Sequence, residues 1–424
     1  MVSTVDNKLL QVIGTRWKIT KRIGNGAYGA VYEARSLRDD HLFAALKVES
    51  NDAEESILKV EVEVLKHLLN RPNTVRLLHS GKREMYSYLV MTLCGPDLTQ
   101  LKSNNKLLVF SESTTLRLGI HCLFAIKQIH EVGYVHRDIK PSNMAIGATS
   151  SDCRLIYLID YGMVRRYADR RKGKWLIRAP RKKALLRGTL RYCSMNTHKR
   201  IEQASARSLY VISKRALVEA TLAGFLGRVD DLWSLIYMLV DLRTNFLPWG
   251  RTRREDRILY LKEKTSDRQL TAGCKIDCYE KVLAHLRGLK YANRPNYIFI
   301  YETMMGAITR KNYLFSDPYD WETATAKSTK HQTASPNSSG SSVPEVSSRT
   351  ARLEVVERVL PSDKFGINEK EFPTACYAAF ADKDGDVPDV SKTKYYVSTG
   401  RSIRQQQYEK TCTSKETSVI DILP

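Results

Sequence analysis

The 424 residues, 42% hydrophobic and 9% aromatic, exceed what one ordinary core needs and can fill a large one, which excludes a chain disordered throughout. The net charge of +22 raises the question of nucleic acid, while the longest largely apolar run, Leu232 to Val240, is far short of the ~20 residues that span a bilayer. The first residues lack a charged-then-apolar leader and the eight cysteines include no Cys-x-x-Cys pair, so reduced thiols in a cytosolic or nuclear chain are expected, with neither a disulfide frame nor a zinc site.

The first hundred residues read as short strands, with Val31, Phe43, Leu46 and Val48 in alternating runs, broken by one helix from about Glu54 to Leu69. On that helix Ile57, Val60, Val64 and Leu68 recur at helical spacing. Residues 23 to 31 (Ile23, Gly24, Asn25, Gly26, Ala27, Tyr28, Gly29, Ala30, Val31) form a Gly-x-Gly-x-x-Gly whose missing Cβ atoms let backbone amides close over phosphates. This spacing also opens dinucleotide-binding turns, but here it leads into another strand rather than a helix. The apolar strand that follows ends in Lys47, which after a glycine loop can reach α and β phosphates. The acid expected to hold it is Glu61, since Glu63 projects about 200° further round the helix.

From about Thr115 the pattern turns helical: Leu116, Ile120, Leu123 and Ile126 mark one face, and Leu232 to Leu242 is apolar nearly all round, as in a buried helix. The strongest signal is His136-Arg137-Asp138-Ile139-Lys140-Pro141-Ser142-Asn143. A carboxylate at Asp138 can orient a hydroxyl and accept its proton, Lys140 supplies a fixed positive charge, and Asn143 supplies an oxygen for Mg²⁺. Asp160, at the end of another hydrophobic run, supplies the second metal ligand. Five such elements in this order point to phosphoryl transfer.

This layout resembles a protein kinase catalytic domain, and Lys140 two residues after Asp138 favours the Ser/Thr kinases. Where most kinases carry Ala-Pro-Glu, residues 187 to 198 read RGTLRYCSMNTH, followed by Arg200-Ile201-Glu202-Gln203, Asp230-Asp231-Leu232-Trp233 and Leu247-Pro248-Trp249, which is similar to the casein kinase 1 group. Leu58 to Val62, Tyr291 to Tyr297 and Ser316 to Glu322 look most like its tau-tubulin kinase-like branch. The resemblance implies an α+β, bilobal protein kinase fold over residues 17–322: a small antiparallel β lobe with one helix, a large mainly α-helical lobe, and ATP with Mg²⁺ between them. It implies Met91 as gatekeeper, Thr92 to Gly95 (Leu93 included) as the hinge contacting ATP, and Asp231 as the buried aspartate supporting the catalytic loop.

Two departures stand out. Tyr161 replaces the usual Phe after the metal-binding aspartate, which is tolerable if its hydroxyl finds a partner. Residues 204–226 intrude between Gln203 and the helix bearing Asp231, either as a surface helix seeking a partner or as sequence absent from the functional transcript. Beyond them, residues 323 to 350 are dominated by Ser, Thr, Ala and Pro, and the 323–424 region is expected to be a low-complexity linker and mostly disordered tail.

The charge is not evenly spread. Residues 323–424 carry 14 Lys+Arg against 13 Asp+Glu, whereas Asp160 to Arg191 carry 12 basic residues and 2 acidic ones. That run lies where the fold lines its peptide groove, so Arg165, Arg178, Arg181, Lys182, Lys183, Gly188 and Thr189 are expected to bind substrate, with a preference for acidic or phosphorylated residues near the target Ser/Thr. No basic patch interleaved with stacking aromatics occurs outside it, which argues against a nucleic-acid partner; a monomer is expected. The competing reading is a catalytically impaired kinase-like scaffold, and it rests on residues 204–226 alone.

Overall fold

The computed structural model describes residues 12–13, 16–26, 29–52, 56–171, 174–177, 187–199, 227–289 and 293–323. The 204–226 insertion and the tail beyond Thr323 lie outside the described residues. Two compact units emerge, one holding residues up to 69 together with 75–93, the other 70–74 and the described chain from Cys94 onward.

The first unit is an antiparallel sheet of β1 (Val12–Ile13), β2 (Trp17–Gly26), β3 (Gly29–Ser36), β4 (Phe43–Ser50), β5 (Leu77–Lys82) and β6 (Tyr86–Thr92), ordered β1-β2-β3-β4-β6-β5, with one helix, α1 (Ile57–Leu68). In β3 every second residue is buried, the mark of a strand with one face on the core, whereas central β4 is buried from Ala44 to Glu49. Trp17, Tyr32, Ala34, Leu46, Val48, Tyr88 and Val90 fill one cluster. Helix α1 starts three residues later than the sequence pattern suggests, because Ser56 caps it, its Oγ accepting from the backbone N–H of Lys59. The expected stripe of Ile57, Val60, Val64 and Leu68 is buried.

The second unit contains β7 (Cys94–Asp97), α2 (Leu98–Asn104), α3 (Glu112–Glu131), β8 (Tyr134–Val135), β9 (Met144–Gly147), β10 (Ile156–Leu158), β11 (Arg165–Arg166), β12 (Ala168–Arg171) and β13 (Lys174–Ile177). There follow α4 (Met195–Lys199), α5 (Arg228–Thr244), α6 (Glu255–Lys264), α7 (Asp267–Thr271), α8 (Cys278–Arg287) and α9 (Tyr297–Arg310). Helices α3 and α5 form its centre: α3 is buried from Thr114 to His130, and α5 from Arg228 to Leu242. The all-round apolar pattern of Leu232 to Leu242 thus marks a helix enclosed on every side.

Part of the basic run is regular structure: β12 and β13 pair from Ala168↔Ile177 to Arg171↔Lys174, and Tyr167, Ala168 and Ile177 cluster with Val135. The Ser316 to Glu322 stretch also has a structural duty. Buried Arg117 of α3 donates to the carbonyls of Asp317 (2.5 Å) and Pro318 (3.1 Å) and lies over the Tyr319 ring, which stacks on Trp321. Arg154 closes this with a bidentate bond to Glu322.

Candidate active site

In the first unit the glycine motif forms the β2–β3 hairpin, with Gly24 opposite Val31, Asn25 opposite Ala30 and Gly26 opposite Gly29; Ala27 and Tyr28 lie outside the described residues. A Cβ on Gly29 would overlap the carbonyl oxygen of Val48, so the third glycine is required by the close approach of β4. Ile23 is exposed, and Val31 is paired to Lys47 in register. The Lys47 ammonium, 8% exposed, forms an ion pair with the Glu61 carboxylate, 1% exposed, so Glu61 is the acid that α1 turns toward β4. Half-buried Met91 sits in β6 opposite Ala45, and the boundary of the two units falls between Leu93 and Cys94, within the expected hinge.

Glu49, two residues beyond Lys47, escaped sequence reasoning. It is buried and accepts from Ser56 Oγ (2.8 Å) and from the backbone N–H groups of Ile57 (3.0 Å) and Leu58 (3.2 Å). A carboxylate on the first-turn amides satisfies donors that no helix can satisfy itself, and it complements the helix dipole. The only advance signal was an acid at strand spacing from Lys47.

In the second unit the catalytic-loop residues lie between β8 and β9, supported by Asp231 of α5. The Asp231 carboxylate accepts from the backbone N–H groups of His136 (2.7 Å) and Arg137 (2.8 Å) and from His130 Nε2 (2.8 Å), while Tyr297 donates its hydroxyl to His130 Nδ1 (2.7 Å). Burial would raise the Asp231 pKa, but the His130 bond and the backbone amides outweigh it and hold the acid below its usual range. Burial likewise keeps His130 below its ordinary pKa despite Asp231, consistent with a neutral ring bonded on both sides. Arg137 is held at φ 71°, and its guanidinium donates to the carbonyls of Met163 (2.5 Å) and Val164 (3.3 Å).

Asp138 is the hub of this unit. One oxygen accepts from Lys140 Nζ (2.6 Å) and Asn143 Nδ2 (3.4 Å); the other accepts from the Thr189 backbone N–H (2.9 Å) and Thr189 Oγ1 (2.7 Å). The Ile159 N–H donates to the Asn143 carbonyl at 3.0 Å, which sets Asn143 beside the turn carrying Asp160, an exposed residue at φ 64°. Asn143 Nδ2 is occupied by the Asp138 carbonyl (2.9 Å), which leaves its amide oxygen as the atom able to ligate. A carboxylate and an amide oxygen suit a hard cation that also takes phosphate oxygens and water. Among the described residues no group of three or more His, Cys, Asp or Glu could hold a metal without such help. Tyr161 finds the partner its hydroxyl needs, the Leu158 carbonyl at 2.8 Å, and its ring meets His136 edge to face.

Residues 187–199 are anchored from several sides. Gly188 has φ 92°, and a Cβ there would overlap the Arg137 carbonyl oxygen, so glycine lets the segment lie against the catalytic loop and delivers Thr189 to Asp138. Arg191 makes a bidentate bond to Asp241 (2.9 and 2.6 Å), which also accepts from the Tyr192 hydroxyl (2.7 Å). Asp230 accepts from Ser194 Oγ (2.5 Å), Asn196 Nδ2 (3.1 Å) and the Gly227 N–H (2.7 Å). Arg165 lies in β11 opposite Val135, while Arg178, Arg181, Lys182 and Lys183 lie outside the described residues.

Known proteins bear on what this arrangement does. The family model described as "Protein kinase domain" matches residues 17–199. A protein of Caenorhabditis elegans named as a "Putative serine/threonine-protein kinase" is 36% identical over 315 residues, 73% of this chain and 83% of that protein. A protein of Dictyostelium discoideum named as a "Probable serine/threonine-protein kinase" is 34% identical over 314 residues, 74% of this chain but only 58% of the length of that relative. A protein of C. elegans named as an inactive tau-tubulin kinase is 31% identical over 258 residues, 59% of this chain and 81% of its own.

Proposed function

The chain belongs to the serine/threonine protein kinase family, and from that premise we propose that it is an active kinase, using ATP with Mg²⁺ to phosphorylate Ser or Thr in acidic or already phosphorylated substrates. The observation that carries activity is Asp138, whose two oxygens are oriented by Lys140, Asn143 and Thr189. Asp138 orients the acceptor hydroxyl and takes its proton, and Lys140 offsets the negative charge of the phosphoryl in flight. Lys47, aligned by Glu61, binds α and β phosphate oxygens, and Asn143 and Asp160 are the residues that would hold the metal. Mg²⁺, when bound, neutralises polyphosphate charge. The remaining work is positioning, which the bonds on Asp138 and Asp231 supply.

The acidic preference is supported by the excess of positive charge between Asp160 and Arg191, 12 basic residues to 2 acidic. Equal rates on acidic and basic peptides at matched, near-physiological salt would refute it. The impaired-scaffold reading rests on residues 204–226, and one relative is named as inactive. Phosphoryl transfer by the full chain, by a form lacking residues 204–226 and by Asp138→Asn separates the two. Activity in the first and background in the third supports the kinase; background in both with activity in the second assigns the loss to the insertion.

A further inference from the structure

Helix α6 is a surface helix with two strongly buried positions one turn apart, Ile258 (2% exposed) and Lys262 (3%). An apolar residue is the usual occupant of the second, and the lysine there has no carboxylate partner among the described residues. Its Nζ donates instead to the carbonyls of Leu190 (2.9 Å) and Cys193 (2.6 Å) and to His198 Nε2 (3.1 Å), three acceptors for the three protons of an ammonium. The same nitrogen sits over the rings of Tyr237 (5.2 Å) and Trp249 (5.1 Å), which favour a cation electrostatically. Burial pushes the Lys262 pKa down to about 8 and the neighbouring Cys193 thiol up to about 11, so the pair exists at neutral pH mostly as ammonium and thiol.

A buried cation without a counter-ion is a poor device for stability, since a well-packed apolar side chain avoids the desolvation cost. Its hydrogen-bond acceptors all lie in one short stretch, residues 190–198, of the segment that follows Thr189. Between the two carbonyls it holds lie Arg191 and Tyr192, whose side chains run to Asp241. The stretch is gripped on its carbonyl side by α6 and on its side-chain side by α5, directly after the residue bonded to Asp138.

We propose that Lys262 is a positioning residue for the peptide substrate, fixing the course of residues 190–193 and thereby the surface against which the acceptor segment lies. This rests on the kinase reading above. In the full chain, Lys262→Met should raise the peptide KM about tenfold while the ATP KM and peptide-independent ATP hydrolysis stay within about twofold. Lys262→Arg, which keeps donors and charge, should recover most of the peptide KM. His198→Ala, which removes one acceptor without touching α6, should raise the peptide KM by a smaller factor and serves if the methionine variant does not fold. An unchanged peptide KM in Lys262→Met, a parallel change in ATP KM, or no recovery with arginine would overturn the proposal. If the wild-type chain transfers no phosphoryl at all, the kinase reading has failed on its own account, and amide hydrogen exchange decides the placement: faster exchange confined to residues 189–199 in Lys262→Met sustains it, and unchanged exchange removes it.

Discussion

Asp231→Asn changes one atom and removes the geometry on which the catalytic loop depends. The native carboxylate accepts three bonds of 2.7 to 2.8 Å, two from backbone N–H groups that are otherwise buried in the loop. An asparagine keeps one acceptor oxygen and turns its NH₂ toward a donor, so at least one N–H of His136, Arg137 or His130 loses its partner. A lost charge-assisted bond and an orphaned buried donor each cost about 1.5–3 kcal/mol. Arg137 at φ 71° adds strain that the bond to its N–H now restrains, so a total of about 3–5 kcal/mol is expected. For a catalytic domain of this size that corresponds to a fall in Tm of roughly 6–15 °C. Circular dichroism melting gives the first number, and kcat at saturating ATP and peptide gives the second, which should fall by more than about tenfold because Asp138 directly follows Arg137. A variant that melts within about 2 °C of the wild type and keeps its kcat would show that the loop holds its shape without this carboxylate.

Three further outcomes follow from the same geometry. Gly188→Ala meets both a left-handed backbone and the Arg137 carbonyl, so it should displace Thr189 from Asp138 and lower kcat/KM for peptide by about tenfold or more, while ATP binding measured by titration is unchanged. Glu49→Gln loses the charge on the first turn of α1 and one of its paired acceptor oxygens, so Tm should drop by a few degrees and the ATP KM should rise as Glu61 loosens; an unaltered ATP KM would show that α1 is placed by its apolar face alone. Burial pushes the Asp230 pKa up to about 6, so its ionisation opposes folding: its contribution is fully present below the usual carboxylate range and is lost as pH rises toward 6, by about 3 kcal/mol in all. Denaturant melts of wild type and Asp230→Asn between pH 4 and 7 should show that slope in the wild type only, and parallel curves would refute it.

How much of this was readable in advance depended on how local the signal was. The glycine hairpin, Lys47 and the 136–143 loop announce themselves because each is a short motif with its own spacing, and Glu61 could be separated from Glu63 by helical geometry alone. The burial of α5 was visible as a run with no polar face. Glu49 was not visible, since two of its partners are backbone amides at the start of a helix, and amides carry no residue identity. Lys262 was equally hidden: its acceptors lie 64 to 72 positions earlier in the chain, and two of the three are backbone carbonyls, which leave no trace in residue identity. The demand on Gly188 likewise comes from the left-handed turn and the nearby Arg137 carbonyl, and only the fold reveals either.

The two side chains of β4 that meet α1 have a joint consequence for its placement. Lys47 and Glu49 point from the same face of one strand, and they hold the helix at Glu61 and at its first turn. A rod fastened at one place can swivel, whereas one fastened at two places a turn apart has a single setting. The Lys47–Glu61 ion pair is therefore set by the same strand that caps the helix. Swinging α1 away would mean breaking charge-assisted bonds at both attachments together, a toll of several kcal/mol. Rotation of this helix with the strand left in place is thereby made costly.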